Sequence, residues 1–240
     1  MYSAAAGIAA QQQRLDALSN DVANVDTTGY KRVRVAFRDL LYTPEGLATQ
    51  GITEGAGAAA TVVGRGYAQG ATRRTEVPLD VAIQGPGFLR MRRADGTEIL
   101  TRDGNLRFDA QGRLGSQRGD LVQPAIQLPD GANADEVKIN PDGRVMLNGT
   151  ELGRLQVVTV PSPDGLQALG DNAFAATAAS GAAGAAPATT VLESGALEAS
   201  NVDMGDAMAE MMEAQRAYEM ASKAIQAQDR AAEIANGIKR

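Results

Sequence analysis

The chain has 240 residues, with 23 Lys and Arg against 29 Asp and Glu for a net charge of −6, and it contains no Cys, His or Trp. Those absences remove disulfide and thiolate chemistry, Ser-His-Asp triads, Cys-His dyads and ordinary zinc sites. The acidic balance and the 4% aromatic content argue against nucleic-acid binding. Much of the 44% hydrophobic share is alanine, which buries little area per residue, so thin cores and close helix contacts are expected. No apolar run reaches the ~20 residues of a membrane span, so no membrane insertion is expected. The opening MYSAAAGIAAQQQR lacks a basic segment before its short apolar stretch and does not read as a cleavable signal peptide.

The first predicted element is a helix from about Ser3 to Val25. Met1, Ile8, Leu15 and Val22 recur every seven residues, and Ala4, Gln11, Leu18 and Val25 hold the companion positions. That is a heptad seam with one polar break, roughly 35 Å long. Asp26-Thr27-Thr28-Gly29 stops it, with Gly29 answering a need for positive φ. Lys31, Arg32, Arg34 and Arg38 follow and, like Arg90, Arg92 and Arg93 further on, read as solvated charged faces. Residues 43–76 form an extended, Gly-rich connector.

Residues 77–175 read as an antiparallel β-rich domain. Asp-Gly pairs at 95–96, 103–104, 130–131, 142–143 and 164–165, with Asn148-Gly149, mark tight turns. Between them, 79–83, 106–108, 136–139, 144–147 and 155–160 carry strand character. Residues 176–190 are an Ala/Gly-rich loop or linker.

A second long helix is expected from Ser200 or Asn201, with Ser200 and Asp203 forming a capping box. Met204, Met211, Tyr218, Ile225 and Ala232 recur every seven residues, with Ala207, Ala214, Ala221 and Ala235 three positions on. Small side chains there admit a close partner helix, and Asn236-Gly237 ends the run. The fold class is therefore α+β. Residues 1–42 and 191–240 supply terminal helices that pair as a coiled-coil domain around the central antiparallel β-rich domain. Both seams are narrow, and a narrow stripe suits a helix that meets one or two others rather than a large core. Two arrangements satisfy this: the helices close only on each other, or they also pack against neighbouring subunits.

Several groups carry two readings. Asn20, Asn24 and Asn201 cap helix ends locally, or they make register-setting hydrogen bonds between subunits. Met204, Met208, Met211 and Met212 fill a core, or they form an adaptable binding face. Asp80, Asp103, Asp109 and Asp120 contain the makings of a carboxylate pair, but Asp103 sits in an Asp-Gly turn and Asp109 and Asp120 lie close to glycines, so turn chemistry accounts for those three. The Asp-rich turns lack the spacing of a calcium loop. No catalytic, metal or cofactor residue is assigned.

A family resemblance rests on ordered motifs across nearly the whole chain. Gln11-Gln12, Leu15-Asp16, the run from Leu18 to Val25, and Thr28-Gly29-Tyr30-Lys31 resemble the N-terminal signature of flagellar rod and hook proteins. Pro78 to Ile83 with Gly85, Gly87 and Phe88, and then Thr101-Arg102-Asp103-Gly104, resemble motifs of that family's β-domain. Leu197 to Val202 and Gln215-Arg216-Ala217-Tyr218-Glu219 resemble its C-terminal signature. The resemblance implies a structural subunit, not an enzyme, without cofactors. It implies passage through the flagellar export apparatus without a cleaved signal, and helical polymerisation into a periplasm-spanning drive shaft. Its partners are then copies of itself, other rod and hook proteins, and bushing-ring proteins. Ile8, Leu15, Leu18, Val22 and Val25 are expected to pack against Met204, Met208, Met211, Tyr218 and Ile225 within and between subunits. Asn20, Asn24, Thr28, Gly29 and Asn201 are the remaining family-motif positions. The competing reading is a soluble binding module, a coiled-coil stalk carrying a β-domain, that does not assemble into a rod.

Overall fold

The computed structural model describes residues 2–39, 57–129 and 131–237. They fall into two compact units. The first comprises residues 2–23, 33–39, 57–64 and 203–237, and the second residues 24–32, 65–129 and 131–202.

The first unit holds α1 (Tyr2–Ala23), β1 (Val33–Asp39), β2 (Ala58–Arg65, whose last residue belongs to the second unit) and α2 (Met204–Gly237). At 1.5 Å per residue the helices are about 33 and 51 Å long. They pack against each other, while β1 and β2 form a two-stranded sheet. Two boundaries differ from the sequence expectation. α1 ends at Ala23, so Val25 lies off the helix, because the Asn24 carbonyl and side chain are turned to Thr27 in a reverse turn. α2 begins at Met204, and its N-cap is Asp203, whose carboxylate accepts from the Asp206 N–H. Ser200 does not cap α2: its hydroxyl accepts from Val202 N in a local turn, just beyond a β-strand.

The second unit is antiparallel throughout its strand pairs. Its strands are β3 (Thr72–Arg74), β4 (Val81–Gln84), β5 (Phe88–Arg92), β6 (Glu98–Thr101), β7 (Leu106–Phe108), β8 (Leu114–Ser116) and β9 (Leu121–Val122). β10 (Val137–Ile139), β11 (Arg144–Leu147), β12 (Thr150–Arg154), β13 (Val157–Thr159), β14 (Gln167–Gly170) and β15 (Ala173–Ala175) follow. β16 (Gly184–Ala185), β17 (Val191–Ser194) and β18 (Ala196–Glu198) complete the order. The main sheet runs β14-β15-β6-β5-β9-β8-β7, with β13 pairing both β5 and β16. A three-stranded meander, β10-β11-β12, and the pairs β17-β4 and β18-β3 stand beside it. Residues 191–202, grouped by sequence with the terminal helices, fall in this unit because β17 and β18 pair with β4 and β3.

The central strands bury both faces. Leu89 and Met91 of β5 and Ile99 of β6 join Val81, Ile83 and Leu106 in one core. Their alternate neighbours Phe88 and Leu100 join Val158, Val160 and Phe174 in another. The period-two alternation of a strand sends successive side chains to opposite sides, so a short strand serves two cores. The Asp-Gly and Asn-Gly signals divide. Those at 95–96, 142–143 and 148–149 join consecutive antiparallel strands, and Asn148 and Gly149 both take positive φ as a tight primed turn demands. Asp103-Gly104 is not a hairpin turn. A side chain at Gly104 would sit 1.7 Å from the Val81 carbonyl oxygen, so the glycine is there for close strand approach. Asp164-Gly165 lies in a 3₁₀ turn, Pro163–Gly165, and Asp130 lies outside the described residues.

Candidate assembly site

In the first unit, among the described residues, the fully covered positions of α2 are small, while α1 buries Leu18 and Asp21 as well as an alanine. Ala10 and Leu18 on α1 and Ala207 and Ala214 on α2 are buried. An alanine line lets the partner backbone approach closely. Ile8, Leu15 and Val22 on α1, and Met211, Tyr218 and Ile225 on α2, are half-buried. Met204 and Met208 are exposed, at 37% and 52%, and so are Met212, Met220 and Ile234 on the same helix. Met204, Met208 and Met212 stand four residues apart and Met220 eight further on, which lines them along one ridge of α2. Of the methionines considered from sequence, only Met211 is even half-covered. Asp21, almost fully buried on α1, accepts from the Val33 N–H and so ties β1 to that helix. Arg14 reaches Glu213 at 3.4 Å across the helix pair, a surface contact of small energetic weight.

The second unit contains a buried polar cluster. Lys31 is wholly buried, which corrects its reading as part of a solvated basic face. Its Nζ donates to Glu198 Oε1 at 2.5 Å and to the Ala68 carbonyl at 2.7 Å. Arg102 donates through one guanidinium nitrogen to both Glu198 oxygens, at 3.1 and 2.9 Å, and through another to the Gly85 carbonyl. The Gly70 N–H also donates to Glu198. Burial is the largest influence on Lys31 and holds its ammonium below the ordinary range. The Glu198 hydrogen bond and charge oppose that shift, and the nearby Arg102 charge adds to it.

Of the family-motif positions, Gly29 and Asn201 bond to groups of this cluster. Gly29 has φ +68°, donates its N–H to the Glu198 carbonyl, and lies so close to Arg102 that a Cβ would come within 2.7 Å of its carbonyl carbon. The Thr28 carbonyl accepts from Asn172. Asn201 accepts from Arg32 N–H and donates to the carbonyls of Gly66 and Ala68. Asn24 bonds within its own turn, and Asn20 is exposed on α1. Sequence reasoning quoted Lys31, Arg102 and Glu198 within motifs without assigning them a role. Glu198, between Leu197 and Ala199, is the one of the three flanked by apolar residues on both sides, whereas Lys31 precedes Arg32 and Arg102 stands between Thr101 and Asp103.

The aspartates weighed as a catalytic pair are bound up in local structure. Asp109 accepts from Gln111 N–H, Arg113 N–H and Arg113 Nε. Asp103 accepts from Asn105 N–H, and burial pushes its carboxyl above the ordinary range. Asp120 lies 3.6 Å from Arg93. Among the described residues no group of three or more acidic side chains could hold a metal ion, and no helix is long and apolar enough to cross a membrane. A groove of about 710 Å³ is lined by Arg90, Arg154, Leu155 and Val157 together with residues 183–188 and 190–192.

A buried charge cluster that ties segments together in one unit, and a helix pair with exposed apolar side chains in the other, are features of a structural protein. Comparison with known proteins gives the family. Residues 1–31 match the flagella basal body rod protein family, 82–147 the flagellar hook protein FlgE/F/G D1 domain, and 193–238 the flagellar basal body rod FlgEFG protein C-terminal family. The chain is 36% identical to the flagellar basal-body rod protein FlgG of Borreliella burgdorferi over 100% of this chain and 98% of the relative. It is 39% identical to FlgG of Caulobacter vibrioides over 95% of each, and 34% identical to FlgG of Bacillus subtilis over 95% and 94%. The chain belongs to the flagellar basal-body rod protein family and is a structural subunit of the flagellum, not an enzyme. Within the family the Phe37 to Tyr42 run and the Gln215 to Glu219 run resemble the FlgG type most, with FlgF second, and the full-length relatives agree in carrying the FlgG name.

Proposed function

We propose that the chain polymerises helically, with copies of itself and with other rod and hook proteins, into the distal part of a hollow shaft that crosses the periplasm and transmits torque. The observation that carries this reading is the set of exposed methionines on α2, above all Met208, Met212 and Met220, turned away from an alanine line already covered within the subunit. An apolar ridge left open on a helix whose other side is occupied calls for a second helix from another molecule. A contact of this heterologous kind, repeated, makes an open filament rather than a closed ring. The β1–β2 ribbon adds Phe37, Val62 and Val63, also exposed. A two-stranded ribbon has little stability alone, and neighbours in a filament supply the missing cover.

In this reading α1 and α2 pair as a coiled coil in the subunit. Ile8, Leu15, Leu18 and Val22, with Met204, Met208, Met211, Tyr218 and Ile225, then form the seams within and between subunits. Residues 77–175 form the outward β-domain. The subunit travels through the flagellar export apparatus without a cleaved signal, and the shaft turns inside bushing-ring proteins.

The test is electron microscopy of basal bodies from a strain lacking this chain, with swimming scored beside it. Non-motile cells with truncated rods and no hooks are expected, and the point of truncation separates distal from proximal placement. Normal basal bodies with normal swimming would remove the rod reading.

A further inference from the structure

We infer that Glu198 is the keystone of an internal clasp that holds the chain arriving from α1 onto the chain departing toward α2, and that this clasp opens as a local unit while the β-cores stay closed. The functional half of the inference, that a closed clasp is required for assembly, rests on the rod reading above.

The geometry is that of a fastener. Residues 29–32 and 198–201 are separated by most of the sequence yet bonded directly: Gly29 N–H donates to Glu198 O, Asn201 N–H to Tyr30 O, and Arg32 N–H to Asn201 Oδ1. A third segment is caught between them, since Lys31 Nζ and Asn201 Nδ2 share the Ala68 carbonyl and the Gly70 N–H reaches Glu198. One carboxylate, itself fully buried, thus joins Lys31, Arg102 and Gly70. Lys31, Arg102, Glu198 and Asn201 hold the clasp through polar bonds, and it meets one β-core where the Arg102 guanidinium lies over the Phe88 ring, 5.6 Å from its centroid. It is also imperfect: Arg102 Nε is buried without a hydrogen-bond partner, and two cations face one anion. A buried ionic group closes firmly only when every member is satisfied, so this one is built to open before the β-cores do.

The charges predict an order among variants. Glu198→Gln keeps the shape and leaves Lys31 and Arg102 buried with no anion. Lys31→Met leaves a balanced Arg102–Glu198 pair, and the Ala68 carbonyl keeps its Asn201 donor. Amide hydrogen exchange of the full-length chain reads the result. In Glu198→Gln, the amides of Gly29, Arg32, Gly70 and Asn201 are expected to exchange about a hundredfold faster or more, the scale set by breaking a buried ion pair. The amides of Leu89, Met91 and Ile99 should stay as protected as in the wild type. Lys31→Met should speed the same clasp amides by less. Uniform loss of protection across both sets, no change at the clasp, or a larger effect from Lys31→Met would overturn the clasp. If Glu198→Gln does not accumulate as folded protein, Lys31→Met alone decides: selective loss at the clasp amides supports the proposal, and uniform or absent loss sinks it.

Complementation of a strain lacking the chain tests the functional half. Wild type should restore rods, and Glu198→Gln should not. Rods from Glu198→Gln in normal number would overturn the need for a closed clasp. Failure of the wild type itself would instead count against the rod reading, and the exchange data would still judge the clasp.

Discussion

At the residue scale, the side chains that matter most are charged ones taken out of water. Lys31 and Glu198 are wholly buried and Arg102 nearly so, and such groups persist only where partners replace the lost hydration. Their pH behaviour follows from the directions of shift. Lys31 sits below its ordinary 10.5, so between its folded value and 10.5 the unfolded chain holds the extra proton and stability rises with pH. Asp103 sits above its ordinary 3.8, so the folded chain holds the extra proton there and stability falls as pH rises from 3.8 through the folded value. Denaturation midpoints across pH check both: Lys31→Met should abolish the alkaline rise, and Asp103→Asn the acid-side fall. Gly29→Ala would force a Cβ into the Arg102 backbone at a positive φ, and a loss of about 1–3 kcal/mol in urea unfolding is expected. An unchanged midpoint would mean the 29–32 segment shifts freely.

At the element scale, the two faces of α2 make opposite predictions. Ala214 is fully buried, so Ala214→Leu overpacks the helix pair and should destabilise the monomer by about 1–3 kcal/mol. Met208, 52% exposed, should behave in reverse. Met208→Ser should leave monomer melting within about 0.5 kcal/mol of wild type yet reduce filament formation, measured by sedimentation. Equal assembly by Met208→Ser would show that the ridge stays in solvent. On α1, Ile8→Asp or Leu15→Asp should block rod building in cells, and a strain that still builds rods would show the seam to lie elsewhere. Helix boundaries were the part of the elements least visible in the sequence. The sequence reads Ser200 as the cap and Asp203 as its capping-box partner, whereas β18 pairs with β3 up to Glu198 and the helix starts only after Asp203.

For the whole molecule, the expected behaviour is order that depends on concentration. The terminal helices cover each other through alanines, which contribute little buried area, and long helices with thin packing are marginal alone. Circular dichroism of the dilute chain should show less helix than the assembled form, with helicity rising as protomers associate. Full helicity with a sharp cooperative melt at low concentration would instead favour a self-sufficient stalk.

The sequence by itself determined the class of fold and the class of protein. Heptad spacing marks α1 and α2 because a helix repeats its face about every seven residues, and turn dipeptides at 95–96, 142–143 and 148–149 mark hairpins because few residues tolerate their backbone. Ordered motifs from Gln11 to Glu219 carried the family. Tertiary structure alone decided the rest. Only the fold shows that Lys31 leaves the basic run around it to meet a carboxylate 167 positions away, because sequence records neighbours along the chain and burial depends on neighbours in space. Gly104 looks like a turn glycine until Val81 is seen lying against it. Met204, Met208 and Met212 of α2 look like core until alanine, small enough to let the helices touch, takes the buried positions and leaves them exposed.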